Sequence, residues 1–282
     1  MKNTSDWDLV IRPRRHWLDL RLGELWRYRD LVGLFVWRDF VAQYKQTILG
    51  PLWYLAQPLL TTLIFTVVFG NIAGLSTDGQ PRFLFYLAGT TIWSYFAACL
   101  NKTANTFVAN AAVFGKVYFP RLALPISVLI SNLVTFGIQL AQLAIFIIIW
   151  GFAFAPVHPT LWVALLPVLV LMMAGLGLGL GIIVSALTTR YRDLQVLVVF
   201  GVQLLMYATT VVYPLSATPE KWRWLIVLNP LTPIVECFRL ALLGSGTVTG
   251  WQLLYSFGLT VVILAIGVLI FTRVEDTFMD TI

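Results

Sequence analysis

The sequence has 282 residues, of which 59% are hydrophobic and only 11% are charged. Soluble domains usually carry about 25% charged residues, so much of this surface must face lipid or other apolar helices. The formal net charge of +6 does not indicate nucleic-acid binding, because the basic residues form no single exposed stripe. The composition therefore predicts an all-α integral membrane protein.

The first fifty residues differ from the rest, and we assign residues 1–50 to a cytoplasmic N-terminal segment. Arginines and tryptophans there surround apolar residues that recur at helical spacing, namely Leu18, Leu22, Leu25, Val32, Phe35 and Val36. This pattern is typical of an amphipathic helix lying in the membrane interface. A soluble helix packed on a partner is the alternative.

Residues 51–282 form the predicted transmembrane domain. Six stretches approach or exceed the roughly 20 apolar residues that cross a bilayer, and none contains Asp, Glu, Lys or Arg. They are residues 52–72, 83–100, 122–150, 161–187, 194–213 and 251–272. The sequence therefore predicts six transmembrane helices.

The distribution of Lys and Arg predicts the orientation of these spans. With the N-terminus inside, 15 of the 19 basic residues fall in inner segments and four fall in outer segments. Inner loops of membrane proteins carry the excess of Lys and Arg. We therefore expect both termini to be cytoplasmic.

The connection between the fifth and sixth spans has an unusual composition. Residues 220–228 and 232–243 are helix-compatible, but each is too short to cross the bilayer, and Asn229-Pro230 breaks the helix between them. This pattern predicts a re-entrant helical hairpin, and an exposed surface loop is the alternative. In the fourth span, Gly175, Gly177, Gly179 and Gly181 form two overlapping GxxxG pairs that favour close helix packing.

Groups that could power or catalyse a reaction are missing from the sequence. No ionisable residue lies in a predicted span, and no GxxxxGK[ST] phosphate loop, HExxH or nucleophile elbow occurs. Ion-coupled carriers and membrane hydrolases are therefore disfavoured, and we expect no enzyme and no metal site. If the chain moves a solute uphill, another polypeptide must supply the energy. The inner loop 101–121 is then either a handle for such a motor or a plain connector.

Four motifs resemble those of the ABC-2 type exporter permeases. The stretch from Arg38 to Trp53 (RDFVAQYKQTILGPLW) with Gln57-Pro58 is similar to the entry of their first span. KVYFPRLALP at 116–125 and RYRDL at 190–194 are similar to two later inner loops of these permeases. NPLTP at 229–233, followed by Arg239, is similar to their outer hairpin. The match is best with the polysaccharide branch, the Wzm, KpsM and TagG type permeases, and covers about residues 20–275.

This resemblance implies partners and roles that the composition does not show. Two copies would pair as a homodimer, and each would bind a separate ATP-binding cassette subunit that holds ATP and magnesium, with no cofactor in this chain. The cargo would be a lipid-linked polysaccharide, with O-antigen favoured over capsule, teichoic acid or a drug or lipid. Residues 105–117 would form the coupling helix. The implied contacts with the ATPase subunit are Asn105, Thr106, Phe107, Asn110, Phe114, Lys116, Arg190, Arg192 and Asp193.

A glycan path requires aromatic faces for sugar rings and polar groups for hydroxyls. The candidate aromatic residues lie on the first, second and fifth spans: Tyr54, Phe65, Phe69, Tyr86, Trp93, Tyr95, Phe96, Phe200 and Tyr207. The candidate amides are Gln57, Gln195 and Gln203, since amides facing lipid are costly. Aromatic residues also fill interfaces and helix contacts, so packing is the alternative for each ring.

Overall fold

A computed structural model describes residues 22–44, 50–110, 119–153, 157–188 and 193–278. Every regular element in these ranges is helical, which confirms the all-α prediction. The helices are α1 Leu22–Arg27, α2 Arg29–Tyr44, α3 Trp53–Phe65, α4 Arg82–Ala104, α5 Thr106–Ala109, α6 Ala123–Ala153, α7 Leu166–Thr188, α8 Leu194–Tyr207, α9 Glu220–Leu228, α10 Leu231–Leu243 and α11 Gly250–Phe278.

Five helical segments of the described chain are long and apolar enough to cross a membrane. They are Trp53–Ile72, which continues α3 through a π-helical turn, then Arg82–Ala104, Ala123–Ala153, Leu161–Thr188 and Gly250–Phe271. The fifth predicted span, 194–213, is only partly helical, because α8 ends at Tyr207. Its 14 residues extend about 21 Å, less than the roughly 30 Å hydrocarbon core.

The short length of α8 has a local cause in the groups that meet its C-terminal end. Asn229 Nδ2 donates to the carbonyl of Ala208 at 3.3 Å and to Thr209 Oγ1 at 2.8 Å. Arg239 Nη2 donates to the carbonyl of Thr210. Side chains of the following hairpin thus donate to backbone carbonyls that would accept main-chain N–H groups if α8 continued. The chain turns at this point.

The predicted helical hairpin is present as α9 and α10, which are bent by 97° at the break after Leu228. The second helix is almost wholly buried and packs on α4, on α7 and on the turn before α7. The first has no buried residue and exposes Trp222 and Trp224. One helix of the hairpin is therefore embedded in the bundle and the other is exposed. A loop lying wholly on the surface, the alternative interpretation, does not match this arrangement.

The structure describes the N-terminal segment from residue 22 onward, and the predicted position of its helix in the membrane interface stays a prediction. Val32 and Phe35 of α2 are buried against α6, and the rings of Phe35 and Phe119 lie 5.7 Å apart. Trp37, on the opposite face of α2, and Trp26 of α1 are exposed. The apolar face of α2 therefore packs on this chain's own bundle.

The glycine run of the fourth span makes α7 the centre of the bundle. Successive glycines two residues apart project to nearly opposite sides of a helix. A Cβ added to Gly177 would lie 2.7 Å from Cys99 Cβ, and one added to Gly181 would lie 2.7 Å from Thr103 Cβ. Both neighbours belong to α4, so this pair of glycines allows α4 and α7 to touch.

The other two glycines of the run serve the helix on the far side. A Cβ on Gly175 would lie 2.9 Å from Thr260 Cγ2, and one on Gly179 would lie 3.0 Å from the backbone of Ile263. Both contacts are with α11. The two overlapping GxxxG pairs read from the sequence thus face two different helices, and α7 is packed between them.

Alanine substitutions test whether this close packing stabilises the bundle. We expect Gly177→Ala to lower stability by about 1–3 kcal/mol, because the new methyl group overlaps α4. The matched control is Gly137→Ala on α6, whose added Cβ meets nothing within 4 Å. Thermal unfolding of the purified chain in detergent should show a lower midpoint for the first variant alone. Equal midpoints for both variants would contradict the packing role.

A buried ion pair anchors the hairpin. Glu236 and Arg239 of α10 are each only 1% exposed, and Arg239 Nη2 lies 2.8 Å from Glu236 Oε1. The carboxylate also accepts hydrogen bonds from the amides of Leu215 at 3.1 Å and Thr247 at 3.2 Å. The guanidinium carbon lies 4.1 Å from the ring centroid of Phe85 on α4. These bonds join the hairpin to the turns on both sides of it and to α4.

Removing one member of this pair should be costly, because it leaves the other charge buried without its partner. We expect Arg239→Met to destabilise the protein by about 3–5 kcal/mol. Adding Glu236→Gln to that variant should recover part of the loss. Arg223→Met, which removes an exposed arginine of the same hairpin, is the control and should change the unfolding midpoint little. A double variant as unstable as the sum of the two single variants would show that the charges do not interact.

Candidate functional site

A cavity of about 270 Å³ lies between α3, α4 and α6. We call it the three-helix cavity. Its lining recurs every three or four residues along each helix, so one face of each helix forms one wall. The lining residues are Tyr54, Gln57, Pro58 and Thr61 of α3, Thr90, Trp93, Ser94, Tyr95, Ala98 and Lys102 of α4, Asn132, Thr135, Phe136 and Gln139 of α6, and Met206 of α8.

Hydrogen bonds between facing helices organise the polar part of this lining. Ser94 Oγ donates to Gln139 Oε1 at 2.7 Å, and Lys102 Nζ donates to Asn132 Oδ1 at 3.0 Å. Burying the amides of Asn132 and Gln139 among apolar helices is unfavourable unless they are bonded, so their partners hold them in fixed positions. The cavity therefore presents fixed polar groups rather than a uniformly apolar surface.

Aromatic rings supply the apolar part of the lining. The rings of Tyr95 and Phe136 lie 5.0 Å apart and are tilted, and Trp93 lies on the same helix as Tyr95. Together with Gln57 and Gln139, these rings give the cavity both flat apolar faces and amide groups. Among the residues that the structure describes, no group of three His, Cys, Asp or Glu residues could hold a metal ion. The lining of the cavity offers hydrogen-bonding groups and flat aromatic faces to a ligand.

Four of the residues predicted to line a substrate channel meet in this cavity. They are Tyr54, Gln57, Trp93 and Tyr95, which come from α3 and α4. The structure thus brings together residues from two predicted spans that are about forty positions apart. Their role in binding a substrate stays a prediction.

Other predicted channel residues lie within the packed core of the protomer. Phe65, Tyr86 and Phe96 are buried, and the rings of Phe65 and Tyr86 lie 6.2 Å apart. Phe69 is half-buried and meets the Phe65 ring edge-on at 5.3 Å. In this structure these rings pack against one another, as the packing alternative predicts. A substrate path along them would require the core to open.

The predicted channel residues of α8 form a third group. Phe200, Gln203 and Tyr207 are exposed, and Gln195 is half-buried. They lie outside the three-helix cavity, on a helix whose outer side also exposes Val196 and Leu197. This face is open to lipid or to another protein subunit.

The residues predicted to contact an ATPase subunit are only partly described. Thr106 is buried in the short helix α5, Asn105 precedes it, and Asn110 follows it, with its Oδ1 at 3.5 Å from Nη1 and Nη2 of Arg38. Asp193 is exposed before α8. The Phe107 side chain and the residues Phe114, Lys116, Arg190 and Arg192 lie outside the described part of the chain. The interface assignment therefore stays a prediction.

Sequence reasoning missed several polar residues of the cavity. Thr90, Ser94 and Lys102 fall at multiples of four along α4, with Ala98 between the last two. This regular spacing puts a polar stripe on one face of α4, and a search for polar periodicity would have found it. On α6, Asn132 and Gln139 are seven residues apart and share a face in the same way.

The helices and the polar cavity between them define a multi-pass membrane protein. The chain belongs to the ABC-2 type transporter family, whose model matches residues 30–243. It is 27% identical over 252 residues to the O-antigen export system permease protein RfbA of Klebsiella pneumoniae. This alignment covers 89% of this chain and 94% of the relative. A permease of the same name from Myxococcus xanthus is 28% identical over 261 residues, covering 92% and 98%. The polysialic acid transport protein KpsM of Escherichia coli is 23% identical over 248 residues, covering 86% and 93%.

Proposed function

We propose that this chain is the transmembrane subunit of an ATP-driven exporter that moves a polysaccharide out of the cytoplasm. The observation that carries the proposal is the near full-length similarity to permeases named for O-antigen export. Lipid-linked O-antigen is accordingly the leading cargo. The similarity to a polysialic acid transport protein favours a capsular polysaccharide as the second candidate.

The energy for export would come from a separate ATP-binding subunit that carries ATP and magnesium. Two features of the chain support this division of labour. The sequence contains no phosphate-loop motif, and the predicted spans contain no ionisable residue for coupling to protons or sodium, since Arg82 and Lys102 lie just beyond the two ends of the predicted span 83–100. The buried Glu236–Arg239 pair is already bonded within the hairpin, so it does not supply such a group.

The ATP-binding subunit would contact the end of the bundle at which α4 joins α5. This end carries the loop predicted to be the coupling helix, and fifteen basic residues lie in the segments predicted to share its side of the membrane. The proposed topology has both termini in the cytoplasm of an inner-membrane protein. The hairpin of α9 and α10 then lies at the outer side.

A second copy of the chain would complete the transporter, with two ATP-binding subunits below. The exposed face of α8, with Phe200, Gln203 and Tyr207, offers aromatic and amide groups that would line a shared path. Aromatic faces can stack on sugar rings, and amides can bond hydroxyls without trapping the chain by charge. Such a lining suits a long hydrated polymer that must move.

Deletion of the gene in its own host tests the cargo. We expect the surface glycan ladder to disappear from gels while lipid-linked glycan accumulates inside, with unchanged drug tolerance. Plasmid-borne wild-type chain should restore the ladder. An intact ladder in the deletion strain would contradict the proposal, and reduced drug tolerance with an intact ladder would support a drug exporter instead.

A pull-down of the tagged full-length chain tests the partner. We expect it to co-purify with a subunit that carries a phosphate-loop motif, and ATP hydrolysis should require both. Phe114→Ala in the predicted coupling segment should lower glycan export and ATP hydrolysis by the complex several-fold without loss of the chain from the membrane. The control is Phe152→Ala, at the opposite end of α6, where the side chain is 91% exposed. Normal export by the first variant would argue against the coupling role.

A further inference from the structure

Lys102 has an unusual position in the three-helix cavity. It is the one cation in the cavity lining, and no carboxylate is part of that lining in the described chain. The side chain stays exposed, and Asn132 Oδ1 accepts one of its three N–H donors at 3.0 Å. Two donors therefore remain available for a ligand.

The carboxylate of Asp39 does not remove this positive charge. Asp39 lies within electrostatic range of Lys102. However, Asp39 Oδ1 already accepts hydrogen bonds from Nε and Nη2 of Arg38 at 3.0 and 2.8 Å. The three side chains together keep one excess positive charge at this end of α4, which would favour an anion.

The depth of Lys102 indicates which kind of anion it can meet. It is two residues from the end of Arg82–Ala104, a segment long and apolar enough to cross a membrane, and we therefore expect it at the level of the lipid head groups. From Lys102 the cavity wall runs along α4 to Thr90, a distance of about 18 Å toward the membrane interior. The charged end of the cavity is therefore at the surface, and its aromatic part is at greater depth.

The size of the cavity limits what can enter. Its volume of about 270 Å³ lies just below the roughly 300–1,000 Å³ typical of sites that enclose whole small ligands. It can hold a head group with a neighbouring ring or a short piece of chain. A polymer cannot fit, so the cavity would bind one end of an amphiphile.

We propose that the three-helix cavity binds the phosphate-bearing head of an amphiphile, with Lys102 Nζ as the anion contact and Asn132 as the residue that positions it. Trp93, Phe136 and Met206 would cover the apolar part next to the head group. The inference rests on the proposed function, because it identifies the charged end of a lipid-linked cargo as the part that this chain recognises. A phosphate head could belong to an isoprenoid-type carrier or to a membrane phospholipid.

Binding measurements with the full-length chain in nanodiscs of zwitterionic phosphatidylcholine test the site. We expect farnesyl phosphate to bind at least about tenfold more tightly than farnesol, the value of one charge-assisted hydrogen bond. Lys102→Gln should remove this preference, and Lys102→Arg should largely keep it. Lys221→Gln, which alters an exposed lysine outside the cavity, should bind like wild type. All variants should elute and unfold like wild type.

The possible outcomes separate the sources and the hypotheses. Loss of farnesyl phosphate binding when phosphatidylglycerol is added assigns the phosphate site to a phospholipid, and retained binding assigns it to the isoprenoid carrier. Unchanged binding by Lys102→Gln, or displacement of the probe by glucuronate, would overturn the inference. The glycan ladder of the deletion strain is independent of these results. If the binding test fails, the proposal of polysaccharide export is unaffected. If the deletion strain keeps an intact ladder, export is rejected, and the binding measurements are unchanged.

Discussion

The close contact of α7 with two helices at once is the constraint on which the rest of the bundle depends. Within a membrane, apolar surfaces gain little by leaving lipid, so association relies on tight packing and hydrogen bonds. Gly177 and Gly181 allow α4 to touch one side of α7, and Gly175 and Gly179 allow α11 to touch the other. The three helices form one packed layer. The other face of α4 then remains free to contact α3 and α6, and the three-helix cavity forms there.

The ion pair of the hairpin solves a different problem at the other end of α4. A turn and a half-buried hairpin leave backbone amides and carbonyls that a helix would have satisfied internally. Glu236 accepts from the amides of Leu215 and Thr247, and Arg239 donates to Thr210. The two charges also neutralise each other. Irregular backbone is thereby tolerated at this depth because it is buried in protein rather than exposed to lipid.

Much of this architecture could be read from the sequence, and the gaps have physical causes. Continuous apolar runs predict five of the spanning segments, and Asn229-Pro230 predicts the bend of the hairpin. The end of α8 at Tyr207 could not be predicted, because it depends on donors from Asn229 and Arg239 that arrive only in the folded chain. In the same way, residue type alone did not show that Trp93 borders the cavity whereas Phe96, which is also buried, lies outside its lining. Burial depends on which helices pack together.

The position of α4 explains how the two ends of the bundle are connected. Its 23 residues span about 35 Å and are buried along most of their length by α7 and α6. One end joins α5, and Phe85 near the other end lies under the Arg239 guanidinium. Packed interiors deform little, and α4 therefore joins the α5 end to the hairpin through one continuously packed helix. The three-helix cavity lies along the same helix between these two points.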